Sequence, residues 1–219
     1  MMSVKQFVRN QNGAVLVEVT VVLTIMLVFI LGSIEFLFAL YQWNAATKAV
    51  QIGLRIAAVS DPVAIGLNGL SAAVVRAELP PGTAMPNFVV RCDGATATCT
   101  CLTIGSCPGV SAYDPAAMNT IVFGRGSSSC SDAKSFYEAG MCDIFSRITA
   151  ANVVITYTQT GLGYAGRPGG PVPTITISLQ NLPFQFFFLG GLRGFKDIPI
   201  PALTTSITAE DLSSSAPSF

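Results

Sequence analysis

The residues with the clearest chemical potential are six cysteines that fall within one stretch of the chain. An even number of cysteines in a region rich in glycine, serine and threonine is typical of a disulfide framework, which needs an oxidising compartment outside the cytoplasm. An all-thiolate metal site and free thiols are the alternatives. Cys130 and Cys142 flank a predicted helical turn and are the best local pair, whereas Cys99 and Cys101 are too close to pair comfortably with each other. The six residues are Cys92, Cys99, Cys101, Cys107, Cys130 and Cys142.

The sequence contains no histidine, and this absence limits the catalytic chemistry that the chain could perform. It removes the Ser-His-Asp and Cys-His nucleophile arrangements, the usual zinc ligand sets and the commonest general base near neutral pH. A hydrolase that uses carboxylates alone stays open, but no spaced acidic pair recommends it. We therefore predict a protein that is not an enzyme, with no cofactor and no metal site.

Two glycine-rich stretches are similar to nucleotide-binding motifs but lack their context. The motif GLGYAG at 161–166 follows a predicted strand, yet the next residues, RPGGPVP, cannot open the helix that would hold a pyrophosphate. The stretch GRGSSS at 124–129 lacks the Gly-Lys-Ser/Thr ending of a P-loop. Both are predicted to be loops. The formal net charge is zero, which gives no indication of nucleic-acid binding.

A second chemically notable residue is Glu18, a carboxylate inside a long apolar run. An ionised carboxylate in a bilayer costs free energy and needs a partner, although the cost falls near the surface. Cleavage of the chain after Gly13 would leave the α-amino group of Ala14 one helical turn from Glu18. Two such chains side by side could then neutralise each other, amine to carboxylate. The ordinary alternative is an acidic residue favoured by the dipole in the first turn of a helix.

The element that carries Glu18 is predicted to be a transmembrane helix. The apolar run extends from Ala14 to Leu40, long enough to span a bilayer, and Lys5 and Arg9 before it place the N-terminus in the cytoplasm. A cleavable secretory signal is the alternative, but the run is longer than is usual and no clean cleavage site follows it. Glu35 falls near the outer boundary, where it could reach interfacial water or a cation and so set the position of the helix.

The same helix is predicted to continue beyond the membrane as a stalk, because no proline occurs between Ala14 and Asp61. Its polar face carries Arg55, and its other face consists of small residues that would let another helix approach closely. Packing of this face against the protein's own globular domain is the alternative. The helix-packing positions are Ala45, Ala46, Ala49, Gly53 and Ala57.

The rest of the chain is predicted to be an α+β domain with an antiparallel sheet. Asp61 and Pro62 form a helix start signal, and LPPG at 79–82 would end that second helix. Alternating apolar residues indicate strands with one buried face. A later helix is predicted from Ser131, with an interruption at Gly140, and the aromatic stretch PFQFFFLGG from Pro183 is interpreted as a core strand rather than an exposed interface or membrane contact. The strands are predicted from Asn87, Asn119, Asn152, Thr174, Phe184 and Thr204.

The N-terminal pattern resembles a type IV prepilin signature, in which a short basic leader ends in glycine and glutamate is the fifth mature residue. More narrowly, GAVLVEV, LGSIEF and the stalk sequence resemble the TadE-like family, pseudopilins of the tight-adherence (Flp/Tad) pilus machinery. The matching positions are Gly13, Ala14, Glu18, Gly32, Glu35, Phe36, Ala49, Gly53, Arg55, Ala57 and Ala58.

The resemblance implies a bacterial inner-membrane protein that is processed by a prepilin peptidase and acts with other pilin-like subunits and the pilus assembly platform. The implied organisation is a leader at 1–13, a transmembrane and stalk helix at 14–60, and a periplasmic or extracellular domain at 61–219. The resemblance does not account for the cysteine-rich insertion at 92–142. The alternative function is an uncleaved, membrane-anchored periplasmic binding module or adhesin.

Overall fold

The computed structural model describes residues 12–103, 107–110, 112–130, 138–188, 190, 198–201, 203–209 and 212–213. These residues fall into two compact units. The apolar unit contains the described residues among 1–41 and 184–198, and the sheet unit contains those among 42–183 and 199–219. The α+β class predicted from the sequence, with a long N-terminal helix and an antiparallel sheet, is confirmed.

The longest element is helix α1, Asn12–Ala58. At 1.5 Å per residue its 47 residues extend over about 70 Å. The helix ends shortly before Pro62, and Arg125 donates a hydrogen bond of 3.0 Å to the backbone carbonyl of Val59. A cation at this end of a helix pairs with carbonyl groups that have no partner within the helix.

The predicted second helix exists but begins later than its expected start signal. Asp61 and Pro62 do not start a helix, because strand β1, Ala64–Ile65, follows them. A 3₁₀ turn at Leu67–Gly69 then leads into α2, Leu70–Arg76. The end of α2 lies before the LPPG sequence, as predicted.

The sheet unit is built around five antiparallel strands in the order β3-β2-β5-β6-β7. Along β5 and β6 the apolar residues are buried while threonine and serine alternate with them at intermediate exposure. Ile155 lies opposite Ile177, and Tyr157 lies opposite Ile175, so the buried faces of the two strands coincide. The strands are β2, Val89–Asp93; β3, Thr98–Cys101; β5, Val153–Gln159; β6, Pro173–Leu179; and β7, Thr204–Thr208. A separate two-stranded pair joins β1 to β4, Ala112–Tyr113.

The stretch that begins at Asn119 was predicted to be a strand and is part of a helix, α3, Pro115–Phe123. Asp114 starts this helix, because its carboxylate accepts hydrogen bonds from the backbone N–H groups of Ala116 and Ala117 and proline follows it at the first helical position. Ile121 and Val122 are fully buried. Burial and capping therefore override the strand preference of these β-branched residues.

The predicted later helix is found in part, and the strand predicted from Phe184 is not found. The later helix is present only as α4, Met141–Ile144, which begins after Gly140, and residues 131–137 lie outside the described part of the chain. A 3₁₀ turn at Ala150–Asn152 follows α4. The stretch that begins at Phe184 is not a strand, and an isolated bridge between Pro183 and Pro199 is the only ladder contact described beside it.

Candidate membrane anchor and assembly helix

The first part of α1 presents large apolar side chains outward. Val15, Phe29 and Leu37 are each more than half exposed, and the most apolar stretch of the helix buries none of its residues. Leaving such a surface in water would cost much free energy, at about 25 cal/mol per Å² of apolar area. By length and composition α1 is a candidate single-pass membrane anchor.

The positions predicted for processing lie at the start of this helix. Gly13 is exposed, and no atom lies within 4 Å of the place that a Cβ would occupy there. Glu18 is exposed one turn after Ala14, and its carboxylate makes no hydrogen bond or ion pair within the described part of the chain. The remainder of the predicted leader, residues 1–11, lies outside the described residues.

Glu35 was predicted to reach interfacial water or a cation near the outer end of the membrane helix. Its side chain is only 1% exposed, so it is shielded from solvent, and the contact with a cation stays a prediction. Its carboxylate accepts a hydrogen bond from the backbone N–H of Phe188. The segment Phe184–Phe188, which the sequence analysis assigned to a core strand, therefore supplies the donor. Helix residue Phe38 also contacts this segment, through its ring and that of Phe187, 4.6 Å apart.

The small residues of the stalk pack inside the sheet unit. Ala45, Ala46, Ala49 and Ala57 are buried, while Arg55 is exposed. A Cβ on Gly53 would lie 2.4 Å from Sδ of Met141, closer than two such atoms can approach. For these positions the structure supports the alternative prediction, in which the small face packs against the protein's own domain. An approach by a second helix is not needed to explain it.

Polar contacts also hold the stalk within the sheet unit. The guanidinium of Arg147 donates a hydrogen bond of 3.0 Å to the side-chain oxygen of Gln42, which is buried. Burial lowers the pKa of Arg147. A guanidinium stays protonated in proteins, so the contact remains charge-assisted at physiological pH.

The six cysteines are paired at disulfide distance in the structure. Cys92 and Cys99 lie opposite each other on β2 and β3, with Cα atoms 4.0 Å apart. Cys101 pairs with Cys107, and Cys130 pairs with Cys142 as expected from the sequence. All six thiols are used, which leaves no thiolate for the alternative metal site.

Two tyrosines of the sheet unit have raised pKa values, and the structure explains both. Burial raises the pKa of Tyr157, whose hydroxyl accepts a hydrogen bond of 3.0 Å from the backbone N–H of Val63. The pKa of Tyr113 is also raised, first by burial and then by the charges of Asp114 and Asp93. Across the described ranges, no group of three acidic, cysteine or histidine residues is arranged to hold a metal ion.

Comparison with known proteins finds one similarity, in the N-terminal part of the chain. A family model described as TadE-like protein matches residues 13–55. Residues 13–55 are similar to the TadE-like family. This TadE-like segment begins at Gly13 and contains Glu18, Glu35 and Gly53, so the predicted resemblance is confirmed over residues 13–55. Ala57 and Ala58, which were also predicted to match, lie beyond it. No curated protein and no solved structure gives a significant match. The cysteine-rich region lies outside the matched residues.

Proposed function

We propose that the protein is a minor pilin or pseudopilin of a tight-adherence (Flp/Tad) pilus assembly system and that it has no catalytic activity. The observation that carries this proposal is the TadE-like match, which starts at the glycine where processing is expected. In this proposal α1 crosses the bacterial inner membrane with its N-terminus in the cytoplasm, and the sheet unit is periplasmic or extracellular.

The environment of Gly13 supports a role in processing rather than in packing. Alanine is the better helix former, so helix propensity gives no reason for a glycine near the start of α1. No described neighbour approaches Gly13 closely enough to require the missing side chain. Recognition by a prepilin peptidase gives a reason for the glycine that packing does not.

Processing would also supply a partner for Glu18. The new amine of Ala14 lies four residues before Glu18, a spacing at which groups on a helix are neighbours. An acidic side chain at the bilayer centre costs about 2.5–3.5 kcal/mol by insertion scales, and less near the surface. Pairing with the amine of an adjacent subunit would offset this cost. The chain would thus enter a membrane array of pilin-like subunits, which are its proposed partners together with the assembly platform.

The test is intact-mass measurement on protein purified from membranes that contain the prepilin peptidase. We expect a mature N-terminus at Ala14, whereas Gly13→Leu should leave the chain uncleaved. Gly32→Leu is the matched control, because Gly32 lies in the same helix and also has no atom within 4 Å of its Cβ position. It should be processed normally. An N-terminus at Met1 in the unsubstituted protein would instead favour the uncleaved anchored binding module or adhesin.

A further inference from the structure

The segment Phe184–Phe188 contacts α1 within the apolar unit, through one hydrogen bond and one pair of aromatic rings. The carboxylate of Glu35 accepts a hydrogen bond from the backbone N–H of Phe188. The rings of Phe38 and Phe187 pack with centroids 4.6 Å apart. The N–H of Phe184 donates to the carbonyl of Ile198 at 2.8 Å, which fixes the start of the segment. These contacts hold the segment at the level of helix residues 35–38.

The same segment exposes large apolar side chains. Phe187 is 69% exposed and Phe188 is 54% exposed, although both contact α1. We call these two residues the phenylalanine patch. At the same level of α1, Phe36 and Leu37 are each 64% exposed, and at about 100° per residue they point away from Glu35 and Phe38, so the exposed apolar surface continues around the helix. Large exposed apolar groups mark an interaction surface.

The position of this patch along α1 points to a lipid bilayer as its partner. Glu35 follows Glu18 by 17 residues, or about 25 Å of helix. With Glu18 near the cytoplasmic boundary of a hydrocarbon core about 30 Å thick, residues 35–38 reach the opposite boundary. Tyrosine and tryptophan are enriched at that depth, and Tyr41, the next tyrosine along α1, is 65% exposed. The patch is therefore continuous with the apolar surface of the anchor and lies where the acyl chains meet the headgroups.

The segment Phe184–Phe188 is irregular, so at this membrane depth its backbone polar groups need partners, and Glu35 supplies one. Backbone polar groups that face lipid need partners within the protein. Phe188 lies outside any helix or strand, and Glu35 accepts the hydrogen bond of its N–H. The carboxylate in turn gains a donor where burial would otherwise be costly.

We propose that the phenylalanine patch inserts into the bilayer surface, so that Phe184–Phe188 is a second membrane-contacting segment beside α1. Glu35 acts as its positioning residue. The segment carries no charged residue, so its insertion should not depend on anionic lipid. The inference rests on the membrane-spanning role of α1 in the proposed function, and the controls below separate the two.

The experiment places a single tryptophan at chosen positions of the full chain, reconstituted in phosphatidylcholine vesicles with brominated acyl chains. Trp43→Phe removes the only natural tryptophan. Phe188→Trp reports on the patch, Phe29→Trp on the middle of the anchor, and Tyr164→Trp on an exposed position of the sheet unit. We expect the brominated lipid to remove most of the emission at 188 and 29, and iodide in the buffer to have little effect on either. Tyr164→Trp should show the reverse.

Each other outcome overturns a defined statement. If Phe188→Trp responds to iodide as Tyr164→Trp does while Phe29→Trp is quenched by lipid, the anchor stands and this inference fails. If Phe188→Trp is shielded from both quenchers, protein covers the patch, which also contradicts insertion. If Phe29→Trp is not quenched by lipid, α1 does not span the membrane and the proposed anchor fails as well. Replacing part of the phosphatidylcholine with phosphatidylglycerol should leave the quenching unchanged, and a requirement for the anionic lipid would refute apolar insertion.

The role of Glu35 is tested in the Phe188→Trp background. Glu35→Gln keeps an oxygen that can accept the hydrogen bond of Phe188, so quenching by brominated lipid should persist. Glu35→Leu removes the acceptor and should increase the response to iodide several-fold. If Glu35→Leu and Glu35→Gln give the same quenching, Glu35 does not position the segment.

Discussion

Substitution of Gly53 tests which surface the stalk uses for packing. A Cβ at this position would lie 2.4 Å from Sδ and 2.6 Å from Cγ of Met141, and 3.4 Å from Cγ2 of Ile121. Met141 and Ile121 are fully buried, so neither can move into solvent. Gly53→Ala should gain about 1 kcal/mol from helix propensity. Overpacking costs about 1–3 kcal/mol, so the expected net effect is a loss of up to about 2 kcal/mol in the free energy of unfolding.

Gly53→Val should lose more, because it adds two further carbons and a β-branched side chain that is stiff in a helix. The assay is thermal unfolding of the full-length monomer in detergent micelles, followed by near-ultraviolet circular dichroism. A change of 1 kcal/mol corresponds to about 2–4 °C in Tm for a chain of 150–250 residues. Gly32→Ala is the matched control, since Gly32 lies inside the same helix and no atom lies within 4 Å of its Cβ position. This variant gains helix propensity without a steric clash, so its Tm should not fall.

The sign of the change at Gly53 decides the question. If the small face of the stalk were free in the monomer and reserved for a second helix, Gly53→Ala would raise Tm through helix propensity alone. A double-mutant cycle with Met141→Ala adds a second criterion, because the shortened side chain makes room for the new methyl groups. Additivity of Gly53→Val and Met141→Ala within about 0.5 kcal/mol would show that the two residues do not contact each other.

Two further predictions concern assembly and topology. Glu18→Ala should leave membrane insertion intact, because the helix becomes more apolar, but should reduce co-purification with pilin-like subunits; recovery of the partners at the parent yield would refute the amine-to-carboxylate pairing. The six paired cysteines should resist alkylation in freshly lysed cells until they are reduced, because an exported domain meets an oxidising compartment. Alkylation of all six before reduction would overturn the proposed topology.

Strands β5 and β6 could be predicted from the sequence because their side chains alternate between a buried and a more exposed face. In β5 and β6, buried Ile155, Tyr157 and Ile177 alternate with threonine and serine at intermediate exposure. This pattern needs no tertiary information, because the period of two follows from the strand itself. The polar side of the stalk was also predictable, because residues three and four apart share one face of a helix, and Arg55 is exposed as expected.

The Asp-Pro dipeptide shows what local sequence could not decide. It occurs at 61–62 and at 114–115, but only Asp114 caps a helix. The chain just after Asp61 forms β1, which pairs with β4, the strand just before Asp114. The N–H of Asp114 also donates a hydrogen bond of 2.8 Å to the carbonyl of Val63. This pairing keeps the chain after Asp61 extended and leads the other strand to the start of α3. The capping signal was real at one site and was overridden by strand pairing at the other.

The environment of Glu35 could be predicted only in part. The sequence showed that a carboxylate near the outer end of an apolar helix needs a partner. It could not show that one partner is the backbone N–H of Phe188, 153 residues later in the chain, because Phe188 carries no polar side chain. Consecutive phenylalanines bounded by Pro183 were interpreted as a core strand. Proline is disfavoured inside a sheet, and the absence of alternation in this stretch was a second signal against a strand.

The TadE-like segment crosses two regions that differ in how substitutions should be interpreted. Up to residue 41 most of its large apolar side chains are exposed, so under the proposed function a substitution there would act on contacts with lipid or other subunits. Beyond residue 42 its small side chains are buried within the sheet unit, as Ala49 and Gly53 show. A loss of pilus assembly after a change at these two positions would follow from destabilisation alone. Arg55 lies in the same segment but is exposed, and its substitution therefore tests a subunit contact without disturbing the core.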